Sequence, residues 1–279
     1  MTGPGSPSRR PSPGPWREIA DRVFVRRYAF IDQTIGLVVG DGAALVVDSR
    51  SSPRQAAELR AEVRSLTAAP LVVVNTHHHW DHTFGNAFFR PAPIWGHERC
   101  AAALRERGEA MRRQIAAELP ELMAELAEVA IDPPDRTFTR TAALEVGDRA
   151  VELRHLGRGH TDNDIVVLVP DAAVLFAGDL VEVGAPPSFS DAYPLDWPGT
   201  LGLLLDLVGG PVVPGHGEVS DRTHVEGQLG DIAAVASAAR RTHADGGGPE
   251  DAAALVDRFP EPVTRLALTR AFAQLRGEL

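Results

Sequence analysis

A chain of 279 residues and 29.9 kDa is long enough to bury a full core as one large α/β domain or a compact two-layer pair. Its hydrophobic share of 44% and charged share of 24% exclude wholesale disorder, and no apolar run approaches the roughly 18 residues of a membrane span. A formal net charge of −10 opposes binding to nucleic acid or anionic lipid; all 28 basic residues are arginine, which excludes a Schiff-base lysine, and the lone Cys100 excludes an intrachain disulfide.

The first 15 residues set Pro4, Pro7, Pro11, Pro13 and Pro15 among glycine and serine. They read as a flexible tail with no apolar signal-peptide core, so a cytoplasmic protein is expected, with residues 16–279 as its domain. Apolar, β-branched runs at 23–30, 34–40 and 43–48 open the domain as an antiparallel meander, with Asp41-Gly42 marking a hairpin. Ser51-Ser52-Pro53 then caps a helix whose apolar period runs to Leu66. Pro70 ends that region, and 71–74 is a continuous apolar strand of the kind buried on both faces. Beyond it the pattern predicts a short strand at 93–95, a helix at 97–106, and one or two helices over 108–130 interrupted near Pro120. This second stretch reads as an amphipathic surface packed on the body, with a lid or a homodimer surface as the alternative. Strands resume at 150–156, 164–169 and 173–177. A loop at 184–198 leads to a helix from about Thr200 to Val208, and a last strand covers 211–213. From about residue 221 the chain is helical, with breaks at Gly246-Gly247-Gly248 and Pro260.

Directly after the 71–74 strand comes Asn75-Thr76-His77-His78-His79-Trp80-Asp81-His82. His77 and His79 are two apart, which on a helix would point them to different faces but on an extended or looped segment lets them converge. Asp81 and His82 can turn toward a second ion, and imidazole with carboxylate suits zinc, iron or manganese. His160, Asp179 and His216 each follow the end of a later apolar strand, beside glycine, where strand ends of a layered sheet can meet at one rim.

His77-His78-His79-Trp80-Asp81-His82 resembles the His-x-His-x-Asp-His motif of the metallo-β-lactamase superfamily. Gly159-His160-Thr161, Gly178-Asp179 and Pro214-Gly215-His216-Gly217 match its later motifs in order, over roughly residues 20 to 220. The resemblance implies a four-layer αββα sandwich of two mixed β-sheets flanked by helices, with a two-metal site at one edge. It assigns His77, His79 and His160 to one ion, Asp81, His82 and His216 to the other, and Asp179 as a bridge between two divalent ions, zinc foremost with iron or manganese as alternatives. The chemistry implied is hydrolysis of an ester, thioester, lactone or amide in a small organic substrate by a metal-bound hydroxide, with Asp81 orienting the nucleophile or receiving its proton. Asp179 resembles the glyoxalase II, lactonase and general hydrolase branches; the classical β-lactamase branches carry cysteine or serine there, which disfavours antibiotic hydrolysis. A mononuclear-iron persulfide dioxygenase-like oxidoreductase and a non-catalytic metal-binding module are the competing readings.

Around these motifs, His78 is expected to point away from the ions, and Cys100 to be a buried apolar residue. Asp48 is a candidate to orient a ligand histidine. Asp162 and Asp164 read first as turn or cap residues and second as such orienting groups. Phe189, Tyr193 and Trp197, in the loop that begins five residues after Asp179, are candidates to wall an apolar substrate pocket.

Overall fold

The computed structural model describes residues 14–279, so the expected tail lies outside the described residues as far as position 13. Seven strands form one sheet in sequence order: β1 (Arg17–Ala20), β2 (Val23–Arg27), β3 (Thr34–Gly40), β4 (Ala43–Val47), β5 (Leu71–Val74), β6 (Ile94–His97) and β7 (Arg136–Phe138). Pairing is antiparallel through β4 and parallel from β4 to β7. The second sheet has the order β12-β11-β10-β9-β8, built from β8 (Thr141–Val146), β9 (Arg149–Arg154), β10 (Val166–Val169), β11 (Val174–Glu182) and β12 (Val212–His216). It is antiparallel except for β11 with β12. Both sheets are therefore mixed.

Period-2 alternation explains how the sheets stack. Leu45 and Val47 of β4 face inward against Val167, Val169, Val174 and Phe176 of the second sheet. Ala44 and Val46, one residue out of phase, face the opposite way and pack with Ala56, Leu59 and Val63 of α1 (Pro53–Leu66). Ser52 caps that helix by accepting from the Gln55 amide, and Pro53 occupies its first turn. On the far side, Val166, Leu175 and Ala177 pack on helices α5 (Trp197–Leu205), α6 (Arg222–Ala244) and α8 (Glu261–Leu275). Helix, sheet, sheet and helix make the expected four-layer αββα sandwich. The remaining helices are α2 (Trp80–Thr83), α3 (Glu98–Glu118), α4 (Met123–Ala127) and α7 (Pro249–Ala253). No helix among the described residues is long and apolar enough to cross a membrane.

The structure differs from the sequence pattern in three places, each for a local reason. Strands β1, β7 and β8 leave no apolar run, because much of each faces solvent. The two helices predicted either side of residue 107 are one helix, α3. Gly108 sits inside it as a contact surface: a β-carbon there would lie 2.8 Å from Ile131 Cγ2. Strand β11 runs on to Glu182 instead of ending at Ala177, because Gly178 takes a left-handed φ of 54° and the pairing with β12 shifts register on either side of it. That irregularity aims Asp179 at the rim.

Phe176 is buried between the sheets, close enough that a β-carbon on Gly36 would collide with its ring. Replacing Phe176 with alanine is expected to cost about 3–5 kcal/mol of stability, read as a lowered midpoint in denaturant unfolding with an unchanged m-value.

Candidate metal centre

The segment from Asn75 to His79 leaves the buried end of β5 in non-helical conformation, and α2 then makes a single turn that carries Asp81 and His82. The ends of β11 and β12 bring Asp179 and His216 to the same rim, and the loop after β9 brings His160. All seven sequence-predicted candidates meet there. His77, His79, His160 and Asp179 form one group of donor atoms, and Asp81, His82 and His216 form another, each within 4.8 Å. Asp179 spans both: its Oδ2 lies 3.7 Å from His77, 3.5 Å from His160 and 3.4 Å from His216, and its Oδ1 lies 3.3 Å from His82.

The hydrogen bonds fix which nitrogen of each ring faces the site. A carboxylate or carbonyl oxygen can only accept, so the ring nitrogen against it must carry the proton. His82 Nδ1 donates to Asp48 Oδ2 at 2.8 Å, His216 Nδ1 to the Ile31 carbonyl at 2.8 Å, and His160 Nδ1 to the Ser188 carbonyl at 3.2 Å. His79 is reversed: its Nε2 donates to Asp191 Oδ1 at 2.9 Å. The Thr76 hydroxyl donates to Asp48 Oδ2 at 2.8 Å, which leaves its oxygen to accept from His77 Nδ1 at 3.1 Å. Each outer nitrogen is thus occupied, and the five inner nitrogens converge, those of His79 and His160 to 2.8 Å from one another.

Imidazole nitrogens this close repel unless a proton or a cation lies between them. His77 Nε2 and Asp179 Oδ1 are buried with no hydrogen-bond partner. In the second group the separations are 3.2 Å from Asp81 to both His82 and His216, and 3.4 Å between those two imidazoles. A tetrahedral ion with ligand bonds of about 2.0–2.1 Å sets its ligands about 3.3 Å apart along each edge. The donor set therefore fits a small divalent cation in chemistry and in spacing.

The acids and imidazoles of the centre compensate one another. Burial opposes ionisation of Asp81 and Asp179, yet His82 and His216 hold both carboxyls well below their ordinary range. Burial likewise opposes the charged forms of His82 and His216, but Asp81 and Asp179 hold both well above theirs. His77 is kept well below by burial and by His82, and burial with the neighbouring His79 pulls His160 down to about 4. Neutral imidazole is the form that binds a metal.

Two glycines are required by these approaches. A β-carbon on Gly215 would collide with Asp179 Oδ1, and one on Gly178 would lie 2.7 Å from Thr76 Cβ. Asp48, with φ at 68°, accepts the Thr76 amide at 2.8 Å as well as the Thr76 hydroxyl and His82. One carboxylate thereby orients His82 directly and His77 through Thr76.

The centre floors a cavity of about 690 Å³. The 184–198 loop lines it, but through Ala185, Ser188, Ser190 and Asp191; the aromatic wall expected from Phe189, Tyr193 and Trp197 does not form. Phe189 and Trp197 are fully buried in the core beneath the second sheet, where apolar area is removed from water on all sides. Trp197 Nε1 donates to the Leu180 carbonyl, and its ring stands edge-on to His160 at 5.9 Å, so it backs that histidine. Tyr193 is turned aside between the guanidinium groups of Arg158 and Arg270. His78 does not point away from the site as expected: it lines the cavity, with Nε2 3.4 Å from Asp191. Asp164 does not orient an imidazole with its carboxylate, which accepts from the Thr161 amide and hydroxyl as a turn residue. Cys100 is buried, as its residue type suggests. Asp191 was not singled out by the sequence; a single carboxylate in a polar loop carries no signal of which histidine it will meet.

A family model described as the metallo-beta-lactamase superfamily matches residues 30–239. The chain is 35% identical over 125 residues to a metallo-beta-lactamase type 2 of Bacillus cereus, covering 43% of this chain and 46% of that protein. It is 27% identical over 140 residues to the Bacteroides fragilis protein of the same description, covering 48% and 55%. The chain thus matches about half the length of these curated relatives. Among solved structures, a metallo-beta-lactamase from Pontibacter korlensis superposes with a TM-score of 0.63 at 23% identity, over 78% of this chain and 98% of that one. A double mutant of the sec-alkyl sulfatase PisA1 gives 0.75 at 15% identity, over 94% and 50%. These two likenesses concern the fold.

Two substitutions probe how the centre is built. Asp48→Ala frees His82 and Thr76 and is expected to weaken metal affinity about 10- to 100-fold, measured by competition with a chromophoric chelator. Gly215→Ala displaces Asp179 and is expected to lower the bound metal per chain at a fixed free-metal concentration, while the far-ultraviolet circular dichroism stays that of the folded protein.

Proposed function

This chain belongs to the metallo-β-lactamase superfamily, and on that footing we propose that it is a metal-dependent hydrolase with two divalent ions, zinc foremost. In this reading His77, His79 and His160 hold one ion, Asp81, His82 and His216 hold the other, and Asp179 bridges them. The observation that carries it is the set of five imidazoles whose outer nitrogens are all occupied and whose inner nitrogens converge on Asp179. A substrate cavity opens directly above them.

When bound, such ions supply a water that ionises near neutral pH and polarise the carbonyl under attack. The chain does the rest. Asp179 and Asp81 balance the positive charge of the ions, Asp48 and Asp191 keep His82 and His79 in the ligating tautomer, and a carboxylate oxygen of Asp81 takes the proton given up by the attacking water. Ile31, Trp80 and Val183 in the cavity wall limit the access of bulk water. The bond cleaved is an ester, thioester, lactone or amide in a small organic substrate. The curated relatives are named as β-lactamases, so a lactam amide belongs in the test beside the others, although the resemblance puts cysteine or serine in the classical β-lactamase branches where Asp179 stands here.

Elemental analysis of the purified protein, combined with a panel of esters, thioesters, lactones and a chromogenic lactam, tests this reading. Two divalent ions per chain and turnover of at least one class are expected, and Asp179→Ala should reduce both sharply, with turnover lowered by about 100-fold or more. One iron per chain with oxygen uptake and no hydrolysis would defeat the proposal.

A further inference from the structure

Helix α3 does more than cover the body of the protein. Arg107, Ala110, Met111, Gln114, Ile115 and Glu118 line the cavity, and their spacing of three and four residues is that of one helical face. The N-terminal part of the helix is anchored by Cys100, Ala101, Ala103 and Leu104 in the core. Its last three turns stand over the metal centre, and the cavity-facing stripe runs about 16 Å from Arg107 to Glu118.

Arg107 is the one guanidinium in the cavity lining, and among the described residues it has no hydrogen bond or ion pair. Three carboxylates of the same cavity wall are engaged elsewhere. Asp191 accepts from His79 at 2.9 Å, Glu118 accepts from the Gln114 amide at 2.9 Å, and Asp32 accepts from Arg27 at 2.7 Å. Met111 and Ile115, one and two turns further on, give the same face an apolar stretch, completed by Ile31 and Trp80.

We infer that Arg107 is the specificity residue of the cavity and that the substrate is an acyl compound with an anionic oxygen group and an apolar body. The guanidinium fork pairs with the anion, whether carboxylate, sulfonate or phosphate. The apolar body lies along Met111 and Ile115, with the scissile carbonyl over the metal centre. Arg107 is the one arginine of the lining, so an anion has no other guanidinium to meet in the cavity. The inference rests on the hydrolase reading for the bond that breaks, but not for the binding of the anion.

The test compares mono-4-nitrophenyl esters of dicarboxylic acids, from succinate to suberate, with neutral 4-nitrophenyl alkanoates of the same length on the metal-loaded protein. At the best length the anionic ester is expected to exceed its neutral partner about tenfold or more in kcat/KM, carried by KM. Arg107→Ala should collapse that ratio by about 10- to 100-fold, Arg107→Glu should invert it, and Arg107→Lys should keep part of it. Arg105→Ala, on the same helix but outside the cavity, should leave the ratio in place. A ratio equal in the wild type and in Arg107→Ala at every length overturns the inference. If no ester turns over in any variant, the bond cleaved is not such an ester, and calorimetry with adipate monoamide decides the anion site separately. Binding at least tenfold weaker in Arg107→Ala supports it, and equal binding overturns it.

Discussion

Five imidazoles can face one another across a few ångströms only if each is held in the right tautomer, and the structure around the rim serves that constraint. The outer nitrogen of each ring meets an acceptor from a different part of the chain: Asp48 at the end of β4, Thr76 after β5, the Ile31 carbonyl, and Ser188 and Asp191 in the loop after β11. In a neutral ring, a proton fixed outside leaves a lone pair inside. The cost of crowding lone pairs and buried carboxylates is offset by their mutual attraction in protonated form or, in the hydrolase reading, by bound cations. Asp48 is the most economical part, because its left-handed backbone lets one carboxylate secure an amide, a hydroxyl and an imidazole.

The sheets supply the rigidity this arrangement demands. Each rim residue leaves a strand or loop whose neighbours are packed on both faces, and the close approaches at Gly178 and Gly215 leave little room for drift. Trp197 and Phe189 belong to this support. Their burial under the second sheet places an aromatic edge behind His160, so the loop's aromatics stabilise a candidate ligand while its polar residues face the cavity. The aromatic-wall expectation failed because a large apolar ring gains more from full burial than from lining a water-filled cleft.

Helix α3 shows the same division of labour on the other side of the cavity. The pattern of Ala, Leu, Glu and Arg permits a surface helix packed on the body, a lid or a dimer surface, and periodicity alone cannot separate them. Its position answers part of the question. The first turns are buried in the body, and the face from Arg107 to Glu118 is turned over the centre, as a cavity wall that sets the character of whatever enters.

The layered α/β class, the hairpin at Asp41-Gly42, helix α1 with its Ser52 cap, the strand before His77, and the candidate residues His77, His79, Asp81, His82, His160, Asp179 and His216 were all legible in the sequence. They rest on local signals: turn glycines, capping residues, apolar periods and donor residues at strand ends. Tertiary structure alone decided which oxygen orients each imidazole, that Asp191 and His78 join the rim, that β11 continues through Gly178, that Phe189 and Trp197 turn inward and that Arg107 turns toward the cavity. Those outcomes depend on contacts between residues far apart in the chain, where the same side chain can serve the core, the surface or the site, and the choice follows from which neighbours the fold brings within reach.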